Sequence, residues 1–266
     1  MSGALDIGLL PLSLVLIFIL LAGAASLKMQ LRLERDLLWG TLRTIAQLVL
    51  LGFVLTWIFQ VRQWYIVLAV YAVMIFFAAR IIRGRVHSGS IRLFFPVFFS
   101  MLLSYMLVSL FVVTVIVDAE PWYRPDYFLP LGGMIIGNSM NAIAISLDRL
   151  FTDLQRRRHE VELRLICGAT ARQASADIVR EAVRAGMIPS INAMMGVGLV
   201  FIPGMMTGQI LAGSDPFIAV KYQIMVMLML VGSTALGSLL VVTLLRSRSF
   251  NREQQLVLRT ARRTRS

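Results

Sequence analysis

Seven apolar runs, each close to the length of a bilayer-spanning helix, constrain this chain more than any other feature. They cover Ile7–Leu27, Leu37–Phe59, Trp64–Ile82, Leu93–Val117, Phe128–Leu147, Met187–Ala212 and Tyr222–Leu245, and none contains Asp or Glu. About 20 predominantly apolar residues suffice to cross a hydrocarbon core as a helix. Backbone polar groups in lipid must be satisfied within the segment, so a run of this kind is read as a helix rather than an open strand. Only 15% of the 266 residues are charged, against about 25% in soluble domains. The expected fold is therefore all-α: one polytopic transmembrane domain over 1–266, with about seven membrane helices.

The basic residues orient that domain. Lys28, Arg32 and Arg35 fall in one loop, Arg80, Arg83, Arg85 and Arg92 in the next but one, eight arginines in 148–184, and seven in the tail 246–266. Arg62, Arg124 and Lys221 alone fall in the alternate loops. Basic residues are retained on the cytoplasmic side, so the expectation is a membrane protein with its N-terminus outside and its C-terminus inside. The net charge of +12 is spread in clusters between spans, which is the membrane pattern and not a nucleic-acid-binding face. The basic tail is attracted to anionic headgroups. Ala22-Gly23-Ala24 resembles a signal-peptidase site, but Asp6 is the only charge ahead of the first run. A signal peptide has a positive n-region, so the run is expected to be a retained helix. One cysteine, Cys167, allows no intrachain disulfide.

The long loop 148–184 balances its eight arginines with six acidic residues and reads as two helices. Gly168 suits the left-handed position that ends a helix. Thr170 with Gln173 three residues later is a capping box that opens the next. By itself this is either a plain helical connection between two spans or a rigid element protruding for a partner.

Enzymatic motifs are missing. A P-loop needs Gly-x-x-x-x-Gly-Lys-Ser/Thr to cradle phosphates, and neither Lys28 nor Lys221 follows a glycine or precedes Ser or Thr. There is no His-Glu-x-x-His, and neither His87 nor His159 lies in a span to act as a base. Any ATP hydrolysis must come from another subunit, with no cofactor bound by this chain.

Inside the spans a few residues stand out. Arg43 and Gln47 share one face of the second run. An arginine near mid-bilayer costs about 2.5–3.5 kcal/mol, so Arg43 either faces a watery interior or snorkels to the surface. Asn138 and Asn141 in the fifth run, and Asn192 and Gln209 in the sixth, either line a substrate path or act as interhelical glue. Pro203-Gly204 is expected to break the sixth helix and free carbonyls. Met205 and Met206 join the path set as soft thioether donors, although methionine is also ordinary core filler. No residue set defines a metal site.

Glu162, then Gly168-Ala169-Thr170 and Gln173, resemble the coupling segment of ABC transporter permeases. Taken with Leu131-Gly-Gly-Met-Ile-Ile-Gly-Asn-Ser-Met-Asn141, Leu147-Asp-Arg149 and Pro203-Gly-Met-Met-Thr-Gly-Gln-Ile-Leu-Ala-Gly213 followed by Lys221-Tyr-Gln223, they resemble the bacterial FetB-like iron-export ABC permeases, related to plant aluminium-tolerance permeases. The resemblance is close over 130–245, and within these motifs the chain does not depart from the pattern. It implies a homodimeric permease docking two copies of a separate cytoplasmic ATP-binding subunit that holds ATP and Mg, with Glu162, Gly168, Ala169, Thr170 and Gln173 in the coupling role. It also implies export of iron or a related metal. Iron favours carboxylate or imidazole ligands, and the spans offer neither. A docking scaffold that moves nothing is the alternative of another class. An ion-coupled secondary transporter is a further one, weakened by the lack of a membrane carboxylate.

Overall fold

The computed structural model describes residues 8–60, 63–86, 91, 93–251 and 253–257. Asp6, Arg62, His87, Arg92 and the tail beyond Val257 lie outside them. The described residues form eleven α-helices and no named strand. Six helical stretches are long and apolar enough to cross a membrane.

The chain divides into two compact units, Met1–Arg62 with Gly208–Asp215, and Gln63–Thr207 with Pro216–Ser266. In the first unit, α1 (Leu9–Leu14) and α2 (Leu16–Lys28) make one apolar stretch interrupted by a turn at Val15, and α3 runs Glu34–Gln60. The Ala22–Ala24 segment is uninterrupted helix. Ser26, almost fully buried, ties α2 to the start of α3. Its hydroxyl donates to Glu34 at 2.9 Å and accepts from the Leu33 N–H at 3.0 Å. The two helices bury little of each other, and only 6% of the apolar window of either is buried.

The second unit holds the core. It contains α4 (Trp64–Arg85), α5 (Phe94–Phe111, continued by a π-helical turn over Val112–Ile116), α6 (Pro125–Arg156), α7 (Arg158–Ile166), α8 (Ala171–Ala174), α9 (Ala176–Gly196) and α11 (Pro216–Arg248). Helix α10 (Gly204–Leu211) runs from this unit into the first. Helix α6 is central and packs on α4, α9 and α11. Tyr71, Phe128, Ile135, Ile143, Leu147 and Phe151 are buried there. Close approach of α6 and α9 depends on Gly186: a Cβ at that position would lie 2.5 Å from the Ala142 carbonyl oxygen and collide with the Ser146 hydroxyl. Small residues at such crossings let membrane helices meet backbone to backbone.

Two sequence expectations change in extent. The fifth run, expected to end at Leu147, continues as one helix to Arg156. At 1.5 Å per residue its 32 residues measure about 48 Å, well beyond a hydrocarbon core of about 30 Å. The extension is polar on one side and still buries Leu150, Phe151 and Leu154 on the other, which is why it does not unwind.

The sixth run, Met187–Ala212, is not one continuous helix. A break was expected at Pro203-Gly204, but it begins seven residues earlier, at Gly196. Gly198 has φ +82, a left-handed value that most side chains resist, and its N–H donates to the Phe201 carbonyl at 3.0 Å. Pro203 has no N–H to continue a ladder. Its carbonyl instead accepts from the Thr207 N–H at 3.0 Å and starts α10. Among the described residues the long apolar helices thus number six, with the broken α9–α10 segment in place of a seventh.

Candidate functional site: a helical hairpin beyond the spans

The hairpin is built on the projecting end of α6. The chain bends at Arg157, whose N–H still donates to the Asp153 carbonyl at 2.9 Å. Helix α7 then runs to Ile166 and ends as expected. Gly168 has φ +90, its N–H donates to the Leu165 carbonyl at 3.0 Å, and the Ala169 N–H donates to the Arg164 carbonyl at 3.0 Å. This pair of bonds is the Schellman arrangement, which satisfies the last carbonyls of a helix. The Thr170 hydroxyl accepts from the Gln173 N–H at 3.3 Å, and the Gln173 carboxamide oxygen accepts from the Thr170 N–H at 2.9 Å. The capping box read from sequence is present. After α8, Ser175 marks a slight break before α9.

Ion pairs lock this element. Arg164 reaches Glu160 at 2.6 Å and Asp177 at 3.1 Å, so it ties α7 to α9 across the turn. Arg157 pairs with Glu160 at 2.8 Å, and Arg158 with Glu162 at 2.6 Å. Arg149 on α6 holds Asp153 at 2.6 Å and approaches Glu181 on α9 at 3.6 Å. The hydrogen bond from Arg157, reinforced by the Arg164 charge, holds the Glu160 carboxyl below its ordinary range. Hydrogen bonds from Arg180 and Arg164 do the same for Asp177. Any one exposed pair contributes little, but a network with fixed geometry stiffens the element. Sequence reasoning passed over Arg164. Its signal was Glu160 four residues earlier, a helical ion-pair spacing; the link to Asp177 had no local signal.

The tip exposes two aliphatic side chains. Leu163 is 61% and Ile166 83% exposed, and Cys167 beside them is an exposed free thiol. A groove of about 800 Å³ opens here, lined by Arg158, Glu162, Leu165, Ile166, the Gly168–Thr170 turn and Glu253–Leu256. Of the expected coupling residues, Glu162, Gly168, Ala169 and Thr170 therefore share one surface. Gln173 stands behind it as the second member of the capping box.

The expected path residues divide. Arg43, Gln47 and Gln209 belong to the first unit, and Asn138, Asn141, Asn192, Met205 and Met206 to the second. Arg43 and Gln47 are exposed on the single chain. The Asn138 Nδ2 donates to the hydroxyls of Ser190 on α9 and Thr234 on α11, both at 3.0 Å. Ser139 lies 3.3 Å from the same Thr234 hydroxyl. This seam joins three helices, as the glue account of the amides requires. Asn141 accepts from Arg85 at 2.9 Å and lines a second groove of about 530 Å³ with Arg85, Asp148, Arg149 and Thr152. Asn192 is exposed, and Met205 and Met206 are half-buried. Among the described residues no three of His, Cys, Asp and Glu cluster as metal ligands would.

Long apolar helices, one of them extended into a rigid hairpin, define an all-α polytopic membrane protein of the permease type. The chain belongs to the UPF0014 membrane protein family: the Uncharacterised protein family (UPF0014) matches residues 9–250. It is 39% identical to the UPF0014 membrane protein slr1647 of Synechocystis, over 90% of this chain and 93% of that one. It is 33% identical to the probable iron export permease protein FetB of Escherichia coli, over 93% and 94%. It is 31% identical to the protein ALUMINUM SENSITIVE 3 of Arabidopsis thaliana, over 87% and 84%. No solved structure matches the chain.

Proposed function

We propose that this chain is the transmembrane subunit of an ABC transporter that exports iron or a related metal across the bacterial inner membrane, driven by a separate ATP-binding subunit docked on the α7–α9 hairpin. The observation that carries this reading is the hairpin tip. Leu163 and Ile166, exposed by 61% and 83%, stand on an ion-paired element continuous with α6, which packs on α4, α9 and α11. Exposed aliphatics outside the spans mark an interface. A stiff lever rooted in the core can carry a partner's closure to the spans.

The positive-inside rule puts this hairpin and the tail in the cytoplasm, where an ATPase would reach them. The broken α9–α10 segment then supplies the odd crossing that leaves the N-terminus outside. Two copies of the chain, each docking one ATPase, would bring the exposed Arg43–Gln47 face of α3 against protein or water. The metal is cargo. With no carboxylate or imidazole cluster among the described residues, it passes as a chelate or on amide and carbonyl oxygens. Relatives named for iron export and for aluminium sensitivity support a metal-linked role.

The test is co-purification with the ATP-binding subunit, followed by ATPase assay of the pair in vesicles. Glu162→Lys would place a cation beside Arg158, and Ile166→Asp would charge the tip. Both are expected to release the ATPase while the permease still folds, and iron is expected to stimulate the wild-type pair. Retention of the ATPase by both variants would remove the hairpin from the interface.

A further inference from the structure

Beyond Arg248 the chain does not simply trail away. The described residues 249–251 and 253–257 double back on one another. The Asn251 N–H donates to the Gln255 carbonyl at 3.0 Å, the Gln255 N–H to the Asn251 side-chain oxygen at 2.7 Å, and the Val257 N–H to the Ser249 carbonyl at 2.9 Å. Phe250 and Leu256 face each other in an antiparallel bridge and are buried to 8% and 6% exposure. At the turn, Gln254 has φ +60, a left-handed conformation that a non-glycine residue keeps only when its surroundings hold it. Its own N–H donates to the Asn251 carbonyl at 3.0 Å and closes the turn, and its side chain reaches the α7–α9 hairpin: the Gln254 side-chain oxygen accepts from the Ala171 N–H at 2.8 Å. That N–H follows Thr170 at the start of α8, and no carbonyl of the helix itself can satisfy it.

We propose that this tail hairpin is the second wall of the dock, so that the ATP-binding subunit is received in a composite groove between the Gly168–Thr170 turn and Glu253–Leu256, with Gln254 as the positioning residue that fastens the two walls. The inference rests on the coupling reading above and extends it to a segment that no motif marked. The charge of the groove selects the occupant. Among the described residues its lining carries Arg158 and Glu162, paired with each other at 2.6 Å, and one further carboxylate, Glu253, on a chain whose net charge is +12. An anionic lipid surface would be drawn to the basic residues around it and not to this spot. A protein segment with a cation toward Glu253, and an apolar side chain over Leu165 and Ile166, fits both features. A groove walled by the end of α11 as well as by the α7–α9 hairpin would also pass a partner's movement to two helices at once.

The experiment compares Gln254→Ala with Gln254→Glu in the full-length chain. Glutamate keeps an acceptor for the Ala171 N–H and alanine does not. Without the ATPase, hydrogen exchange at 168–174 is expected to quicken roughly threefold to tenfold in the alanine variant, the change one hydrogen bond brings, and to stay near wild type in the glutamate variant. With the ATPase, the alanine variant is expected to retain less partner by a similar factor, and the glutamate variant to recover it. Unchanged exchange in Gln254→Ala overturns the fastening. Faster exchange with undiminished retention overturns the tail as part of the dock. A wild-type chain that retains no ATPase overturns the coupling reading itself and the inference with it, and that failure is distinct because the exchange result is obtained without the partner.

Discussion

At the scale of single residues, Gly168 and the two asparagines of α6 do different kinds of work. Gly168 turns the chain at φ +90, and a Cβ there meets nothing within 4 Å, so the constraint is the backbone and not crowding. Gly168→Val is therefore expected to destabilise the hairpin by more than about 1 kcal/mol, since a β-branched residue resists this conformation. The measurement is hydrogen exchange across 158–177, and a protection pattern equal to wild type would contradict it. Asn138 bonds two neighbouring helices, while Asn141 bonds Arg85 and borders a groove. Asn138→Leu is expected to lower stability by about 0.6 kcal/mol for each bond lost, with metal dependence intact in the protein that still folds. Asn141→Leu is expected to express normally and to lose stimulation of the partner ATPase by metal. Activity that falls only with the amount of folded protein in both variants would make both amides structural.

At the scale of elements, the α7–α9 hairpin combines burial of Val161, Ala174 and Ile178 with surface ion pairs. Glu160 and Asp177 titrate below their ordinary range because of Arg157, Arg180 and Arg164. A carboxylate whose folded value is lowered contributes stability above its unfolded value and loses it as pH falls through the folded one. The hairpin is therefore expected to keep full protection from neutral pH down to about pH 4, near the unfolded range of these groups, and to lose it below. Exchange rates corrected for their intrinsic pH dependence would show this, and a loss centred near pH 6 would point to another group. High salt should weaken the same pairs, because they lie at the surface. The α9–α10 break behaves otherwise. It is built from Gly196, Gly198 and Pro203 and from main-chain bonds, and the Leu199 and Val200 side chains project from it at 91% and 82% exposure. Apolar side chains so exposed belong against lipid or another chain.

At the scale of the molecule, the arrangement of basic loops predicts that a reporter fused after Ser266 reads cytoplasmic and one inserted between Asp118 and Asp126 reads external. An external signal at Ser266 would overturn both the orientation and the crossing of α9–α10. The six long helices differ sharply in how much the chain itself covers them. The apolar window of α6 is 56% buried, and those of α2 and α3 are 6%. Helix α6 is thus the axis of its own unit, packed on α4, α9 and α11.

The amino-acid sequence by itself determined what depends on local or periodic signals. Apolar runs placed the spans because each helix satisfies its own backbone. Gly168 and the Thr170–Gln173 pair placed the hairpin turn because left-handed termination and capping involve residues only a few positions apart. Only the tertiary structure decided the rest, because it depends on pairings between distant residues. Asn138 finds Thr234 across 96 positions and Ser190 across 52, and Gln254 finds Ala171 across 83. The end of α6 stays helical because Leu150, Phe151 and Leu154 are buried by tertiary packing, which hydropathy alone does not register. The tail shows the difference most plainly. By composition it is a basic, solvated end, yet Phe250 and Leu256 are buried and Gln254 is bonded to the Ala171 N–H, since a buried apolar pair and one satisfied N–H offset the entropy of ordering a short segment.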